Sequence, residues 1–456
     1  MKGKTTINRR LMIMVSLLLC TICMFRGTGA RAESKKPLSS PEEAAEFIEL
    51  LFGDKPDSLN GMYDLTPDME KAISSSGGWG GLVKQLASLG EAEKIGPAYA
   101  DKLKGRDVLR VPCSFSVYPI DLVFVLEDGA IAGLITDKYT GGAEEDSEEA
   151  KEGAFVELDL AVPVPGLNGE LPGTLTLPEG DGPFPVVVLV HGSGPCNRDE
   201  ETASVKPFKD LAEGLAEKGI AVYRYDKRTY VYGEQIASDV GFTLMEETVD
   251  DAAATVQAVS GQDKIDPERI IVLGHSLGAM AVPEIDRELK KDPVKAAGYI
   301  LMAPPARDLD ELMRDQYEFL LSLEPELGDE QAEEKERIFG ELDRLQNLKE
   351  LPDDEQIAGA YVPYWKWLKA YDPLEVADGI ELPCLLLQGE EDYQVTMEDY
   401  ERWEEAVGKK PNWKLILYPD LVHAFVPGQK AEGQAVYLKG GHVDPQVIQD
   451  IADFVL

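Results

Sequence analysis

Basic residues, cysteine and histidine are the scarce components of this 456-residue chain. Lys and Arg together number 45 against 84 Asp and Glu, which leaves a net charge of −39. Such a surface repels nucleic acid and anionic membranes, excluding both as expected partners, and it favours solubility. It also suits cationic substrates such as peptide amines, so a merely solvated surface and a substrate-attracting one both stay open. The five cysteines form no framework. Cys20 and Cys23 lie in an N-terminal apolar stretch, while Cys113, Cys196 and Cys384 are odd in number and widely spaced, so no disulfide pattern is implied. No zinc-type Cys/His spacing appears either. Histidine occurs only at positions 191, 275, 423 and 442. Chemistry that needs an imidazole therefore has few candidates.

The N-terminus reads as a targeting segment. Lys2, Lys4, Arg9 and Arg10 precede the apolar stretch Leu11 to Phe25, which is too short for a comfortable membrane span. Ala30-Arg31-Ala32 then offers a cleavage site, so residues 1–32 are expected to be a signal peptide. Losing its six basic residues would take the net charge from −39 to −45. The expected protein is secreted or extracytoplasmic, on the cell-surface side of a bacterium, with no stable membrane insertion after cleavage. Two other readings are open. One is a lipoprotein anchored through Cys20, although leucines precede it where a small residue is wanted; the other is an uncleaved anchor.

The chain is too long for one ordinary domain. Residues 42–140 read as a small α+β unit. Pro41-Glu42-Glu43-Ala44-Ala45 opens a helix with Ala45, Phe47, Ile48, Leu50 and Leu51 clustered on one side. Arg106 to Val117 and Ile120 to Lys138 read as strands, the second broken by an Asp128-Gly129 hairpin turn. Residues 141–153, rich in Glu and Asp, read as a solvated linker.

From residue 154 onward the punctuation changes. Arg269 to Leu273 is an apolar run that leads directly into Gly274-His275-Ser276-Leu277-Gly278 and then a helix-prone segment. A serine flanked by glycines at a strand-to-helix turn is the nucleophile elbow of α/β-hydrolases. Small neighbours let strand and helix close on one another, and the hydroxyl is lifted to the positive end of the helix. Upstream, Pro185 to Val190 reads as a strand buried on both faces and ends in His191-Gly192-Ser193-Gly194-Pro195. Glycines there allow backbone amides to face a developing oxyanion, which makes the Ser193 and Leu277 N–H groups the expected donor pair. Downstream, Leu382 to Gly389 is followed by Glu390-Glu391-Asp392, and Lys414 to Tyr418 by Pro419-Asp420-Leu421-Val422-His423. Serine, acid and histidine each lie just past a strand end, in the α/β-hydrolase order.

Together with Asn197-Arg198-Asp199-Glu200, Arg224-Tyr225-Asp226-Lys227-Arg228 and Gly441-His442-Val443-Asp444, these segments carry a family resemblance. From about Phe155 the chain resembles α/β-hydrolases of the serine aminopeptidase-like and carboxylesterase-like group. The resemblance implies a doubly wound, mostly parallel α/β sheet over residues 154–456. It departs from that pattern at Thr229 to Tyr232, where relatives often carry glycine sooner than Gly233. Residues 42–140 resemble the cystatin-like cone found before the hydrolase domain of some secreted bacterial proteins. A spacer role and contact with peptide or the cell surface are both open for that unit.

Between about 305 and 375 a helical insertion is expected, placed where hydrolases carry a cap. Leu309, Leu312, Met313, Tyr317 and Leu320 recur at helical spacing, as do Ile338, Phe339, Leu342 and Leu345. Most rings of the cluster Tyr361, Tyr364, Trp365, Trp367 and Tyr371 are expected in the cap core, a minority on a substrate pocket.

The expected reaction is ester hydrolysis by a Ser-His-Asp triad through an acyl-enzyme, with Ser276 the nucleophile, His423 the base and Asp392 the acid. His442 is the rival base and Asp420 the rival acid, while the resemblance assigns His191 and His275 structural roles. This chemistry needs no metal and no organic cofactor, and its partner is a small-molecule ester or peptide. An aminopeptidase-like reaction and a catalytically silent binding fold are the alternatives.

Overall fold

The computed structural model describes residues 35–53, 55–85, 92–103, 106–115, 120–127, 129–138, 155–323 and 329–456. The expected signal peptide (1–32, with Cys20 and Cys23), the linker (141–153) and Asp128 lie outside the described residues. The chain divides into two compact units, with the boundary after residue 150.

The larger unit is built on eight strands: β1 (Phe155–Asp159), β2 (Gly173–Pro178), β3 (Phe184–Val190), β4 (Ala221–Tyr225), β5 (Ile265–His275), β6 (Gly298–Met302), β7 (Cys384–Gly389) and β8 (Trp413–Tyr418). Their order across the sheet is β8-β7-β6-β5-β3-β4-β2-β1. Strands β3 to β8 pair in parallel, while β2 runs antiparallel to β4 and to β1. Flanking the sheet are α1 (Pro207–Ala216), α2 (Asp250–Ser260), α3 (Leu277–Leu289), α4 (Met397–Val407) and α5 (Pro445–Val455).

Successive residues of a strand point to opposite faces, and here both faces are covered. Val186, Val188 and Val190 join one core with Val256, Ile285 and Trp403 of α2, α3 and α4. Val187 and Leu189 join the other with Leu211 and Leu215 of α1 and Ile451 of α5. This two-sided burial is why the strands read as continuous apolar runs rather than alternating ones.

The winding locates the site. From β3 the chain steps outward to β4 and then returns to lay β5 on the other flank of β3. The carboxyl ends of β3 and β5 thus meet at the topological switch point, the place where open α/β sheets gather their ligand-binding loops. The expected oxyanion loop leaves β3 there, and Ser276 leaves β5 beside it.

The insertion comprises helices Leu309–Ser322 and Asp329–Arg344, a short ribbon pairing Gln356–Ile357 with Ala360–Tyr361, and helix Val362–Ala370. Leu312, Leu342 and Leu345 of the expected helical patterns are buried, as are Val362 and Trp365 of the last helix.

In the smaller unit, helix Pro41–Leu51 begins at Ser40, whose hydroxyl accepts the Glu43 amide at 3.3 Å. Phe47 from this helix touches Tyr63, Trp79 and Phe124 with ring centroids 5.0–5.1 Å apart. The helix packs on an antiparallel sheet of Ala92–Ile95, Tyr99–Leu103, Arg106–Phe115, Ile120–Glu127 and Ala130–Lys138. Gly129 takes φ +82° at the turn between the last two strands.

Candidate active site

Ser276 sits at φ +52°, ψ −120°, between β5 and α3. A side chain rarely adopts this backbone region, and such strain is held only where the surroundings over-determine it. They do. The Ser276 amide donates to Met302 O of β6 at 2.9 Å. A Cβ on Gly274 would lie 2.3 Å from Gly278 O, and one on Gly278 would lie 2.3 Å from Val190 O. Glycine at both positions is what allows α3 to start against β3.

Asp392 and His423 arrive on the loops after β7 and β8. Gly389 makes room for that meeting, since a Cβ there would stand 2.2 Å from Leu421 O. Backbone bonds from Glu390 N to Tyr418 O (2.9 Å) and from Glu391 N to Leu421 O (3.1 Å) lace the loops together. Asp392 is buried, and its Oδ1 accepts the amides of Gln394 (2.7 Å) and Val395 (3.0 Å). Its Oδ2 accepts His423 Nδ1–H at 2.6 Å. With Nδ1 carrying the proton, Nε2 is left as the basic nitrogen.

Ser276 and His423 line one cavity of about 670 Å³, together with Ser193 and Leu277. No hydrogen bond joins Ser276 to His423 among the described residues; such bonds commonly tighten only when substrate binds. Leu277 opens α3, where the first amides of a helix have no intrahelical acceptor. The insertion supplies another wall through Leu312, Met313, Tyr361, Tyr364 and Trp365. Three rings of the aromatic cluster therefore border the cavity, and Tyr364 and Trp365 are also core. Trp367 and Tyr371 instead pack against each other with tilted rings, centroids 4.9 Å apart, and Tyr371 donates to Met280 O at 2.8 Å.

The other histidines lie in different settings. His442 is 76 % exposed at its side chain and pairs with Asp210 at 2.9 Å. Asp420 is exposed on a turn. His191 is buried against Phe208 and Tyr225, with Nε2 donating to Asn197 O at 3.0 Å, and burial pushes its pKa down to about 4. His275 is buried beside Glu200, its Nδ1 2.9 Å from Oε2, and its Nε2 donates to His423 O at 3.0 Å. Burial alone would lower the His275 pKa, but the Glu200 carboxylate overrides it and holds the ring above its usual range. Cys196 also borders the cavity. Burial pushes its thiol up to about 12, so it offers no thiolate at neutral pH.

Sequence reasoning singled out the segments containing Glu200 and Lys227 without giving those residues a task. Glu200 Oε1 accepts the Gly192 amide at 2.6 Å. Lys227 Nζ donates to Gly192 O at 2.7 Å and to Glu247 Oε1 at 2.6 Å. Both lie among other charged residues, Asp199 and Glu201 beside one and Asp226 and Arg228 beside the other, so no local signal set them apart. The Thr229 to Tyr232 departure forms a short helix, Arg228–Val231, and Tyr232 Oη then bonds both Glu170 N and O at 2.8 Å. Thr229 and Gly233 border the cavity.

Residues 182–428 match the family described as serine aminopeptidase, S33. The chain is 39 % identical over 335 residues to esterase EstD of Thermotoga maritima, covering 74 % of this chain and 76 % of that protein. Among solved structures, Est1E from Butyrivibrio proteoclasticus is 18 % identical with a TM-score of 0.40, covering 64 % of this chain and 99 % of that one. The acylaminoacyl peptidase of Pyrococcus horikoshii is 16 % identical with a TM-score of 0.41, covering 80 % of this chain and 50 % of that one. The chain belongs to the serine aminopeptidase S33 family of α/β-hydrolases, and it is a serine hydrolase.

Proposed function

We propose that the protein is an esterase in which Ser276, His423 and Asp392 form the catalytic triad. The observation that carries this reading is the 2.6 Å bond from His423 to buried Asp392, with His423 and Ser276 bordering the same cavity. Ser276 Oγ attacks the ester carbonyl carbon while His423 Nε2 takes its proton. Asp392 keeps the ring in that tautomer and stabilises the imidazolium. The Ser193 and Leu277 amides hold the oxyanion of the tetrahedral intermediate. Collapse expels the alcohol, which receives the proton from His423. A water deprotonated by His423 then attacks the acyl-Ser276 ester, and collapse of the second intermediate returns that proton to Ser276 Oγ and releases the acid. The name of the 39 % identical relative supports the ester as substrate.

Peptide hydrolysis is the second reading, favoured by the description of the matching family and by the acidic surface. An ester series and an aminoacyl-amide series assayed side by side on the purified protein separate the two. Faster ester turnover is expected. Turnover of aminoacyl amides alone would overturn the ester reading, and no turnover of either would favour a silent binding fold.

We read residues 1–32 as an export signal and the protein as extracytoplasmic, supported by the basic-then-apolar N-terminus. Contact with peptide or the cell surface through residues 42–140 is proposed from their resemblance to the cystatin-like cone of some secreted bacterial proteins, with a spacer role as the alternative.

A further inference from the structure

Gly192 is gripped at both ends by buried charge. Glu200 holds its amide at 2.6 Å and Lys227 holds its carbonyl at 2.7 Å. Lys227 is only 1 % exposed, and its charge is met by Glu247 at 2.6 Å. The second oxygen of Glu247 accepts the hydroxyl of Tyr364, on the helix that closes the insertion, at 2.7 Å. A chain of three hydrogen bonds therefore runs from the cap to the loop bearing Ser193. Buried ions of this kind cost desolvation, and removing one partner leaves the other uncompensated, so three polar groups here constrain one another.

The Gly192 carbonyl and the Ser193 N–H belong to one planar trans peptide and point to opposite sides of it. Fixing the carbonyl on Lys227 therefore fixes the direction of the Ser193 N–H. The geometry points to Lys227 as a positioning residue for the oxyanion site, with Glu247 and Tyr364 as the groups through which the cap sets its placement. This rests on the reading of Ser193 N–H as an oxyanion donor. Lys227 touches no reacting atom in this scheme; it acts through the peptide, and its ammonium also polarises that peptide toward stronger N–H donation. Because Tyr364 and Glu247 border the cavity while Lys227 does not, a substrate seated against the cap bears on the same chain of bonds.

The test compares a short-chain aryl ester with its thionoester, in which C=S replaces C=O. Sulfur accepts hydrogen bonds weakly, so a well-placed oxyanion donor favours the oxygen substrate. Wild-type enzyme should prefer the ester. Lys227→Met should lower kcat on the ester by roughly tenfold to a hundredfold with KM nearly unchanged, less than the roughly 10²–10³-fold cost of removing an oxyanion donor outright. The ester-to-thionoester ratio should fall with it. Tyr364→Phe, which removes one hydroxyl, should lower the same ratio by a smaller factor. The double variant Lys227→Met/Glu247→Gln leaves no unpaired buried charge and carries the measurement should Lys227→Met not fold. A wild-type preference that survives intact in these variants, with both substrates slowed equally, would overturn the inference alone. A wild-type enzyme indifferent to the exchange would remove the oxyanion reading and this inference with it.

Discussion

Asp392 accepts the Nδ1 proton of His423 at 2.6 Å from a carboxylate that is itself fixed by the amides of Gln394 and Val395. The acid cannot rotate without giving up two backbone bonds, so the tautomer of His423 is set by the fold of the loop after β7. Asp392→Asn should therefore preserve the structure and lower kcat by about 10⁴-fold, because the amide can present its NH₂ to Nδ1 and reverse the tautomer. Steady-state kinetics alongside circular dichroism checks both halves of that expectation.

Ser276→Ala should abolish ester hydrolysis in a folded protein, and an organophosphonate should label Ser276 in the native enzyme. Mass mapping of the adduct decides. Labelling of a different serine, or full turnover in the variant, would remove Ser276 from the mechanism.

His423→Ala should be as damaging as Ser276→Ala, since triad members act as a unit and losing one removes nearly the whole contribution. His442→Ala should keep substantial activity, as that ring is exposed and pairs with Asp210. Equal loss in the two histidine variants would make His442 the base.

Short-chain esters should be cleaved faster than long-chain lipids, without interfacial activation, because the cap closes one wall of the cavity with Leu312, Tyr361 and Trp365. Trp365→Ala should shift the ratio of kcat/KM values toward longer acyl chains. Removing residues 306–360 outright is a poorer test. It would take away Arg307, whose guanidinium pairs with fully buried Asp399 at 2.9 Å, and strand that carboxylate. Preference of the intact enzyme for emulsified long-chain esters would end the pocket argument.

His191 should make the protein acid-sensitive. Its native pKa is lowered to about 4 by burial, whereas the unfolded chain takes up a proton near 6.5. For a depressed histidine the unfolded state binds more protons between those values, so stability is full above 6.5 and is lost as the pH falls toward 4. The loss amounts to roughly 2–4 kcal/mol. His191→Gln should be less stable than wild type at pH 7 yet lose less between pH 7 and pH 4.5 in urea titrations. Parallel curves for the two proteins would contradict this.

Much of the architecture was legible in the chain itself, for a local reason. Strands buried on both faces announce themselves as short apolar runs, as Pro185 to Val190 and Cys384 to Leu387 do. Each is closed by the glycine or turn residues that its next loop requires. Once the strand ends were marked, Ser276, Asp392 and His423 stood out because each lies just past one, and the glycines at 274 and 278 carried their own steric explanation. Helical spacing likewise marked the insertion. Tertiary structure alone decided what the charged and aromatic residues do. Glu200 reaching His275, Lys227 reaching Gly192, and Tyr364 reaching Glu247 are contacts between residues 35 to 117 positions apart along the chain. No periodicity encodes such meetings. A buried ion pair also leaves no trace in hydropathy, since each partner taken singly reads as surface. The aromatic cluster shows the same limit, because spacing could place its five rings on one short segment but not say which would face the cavity.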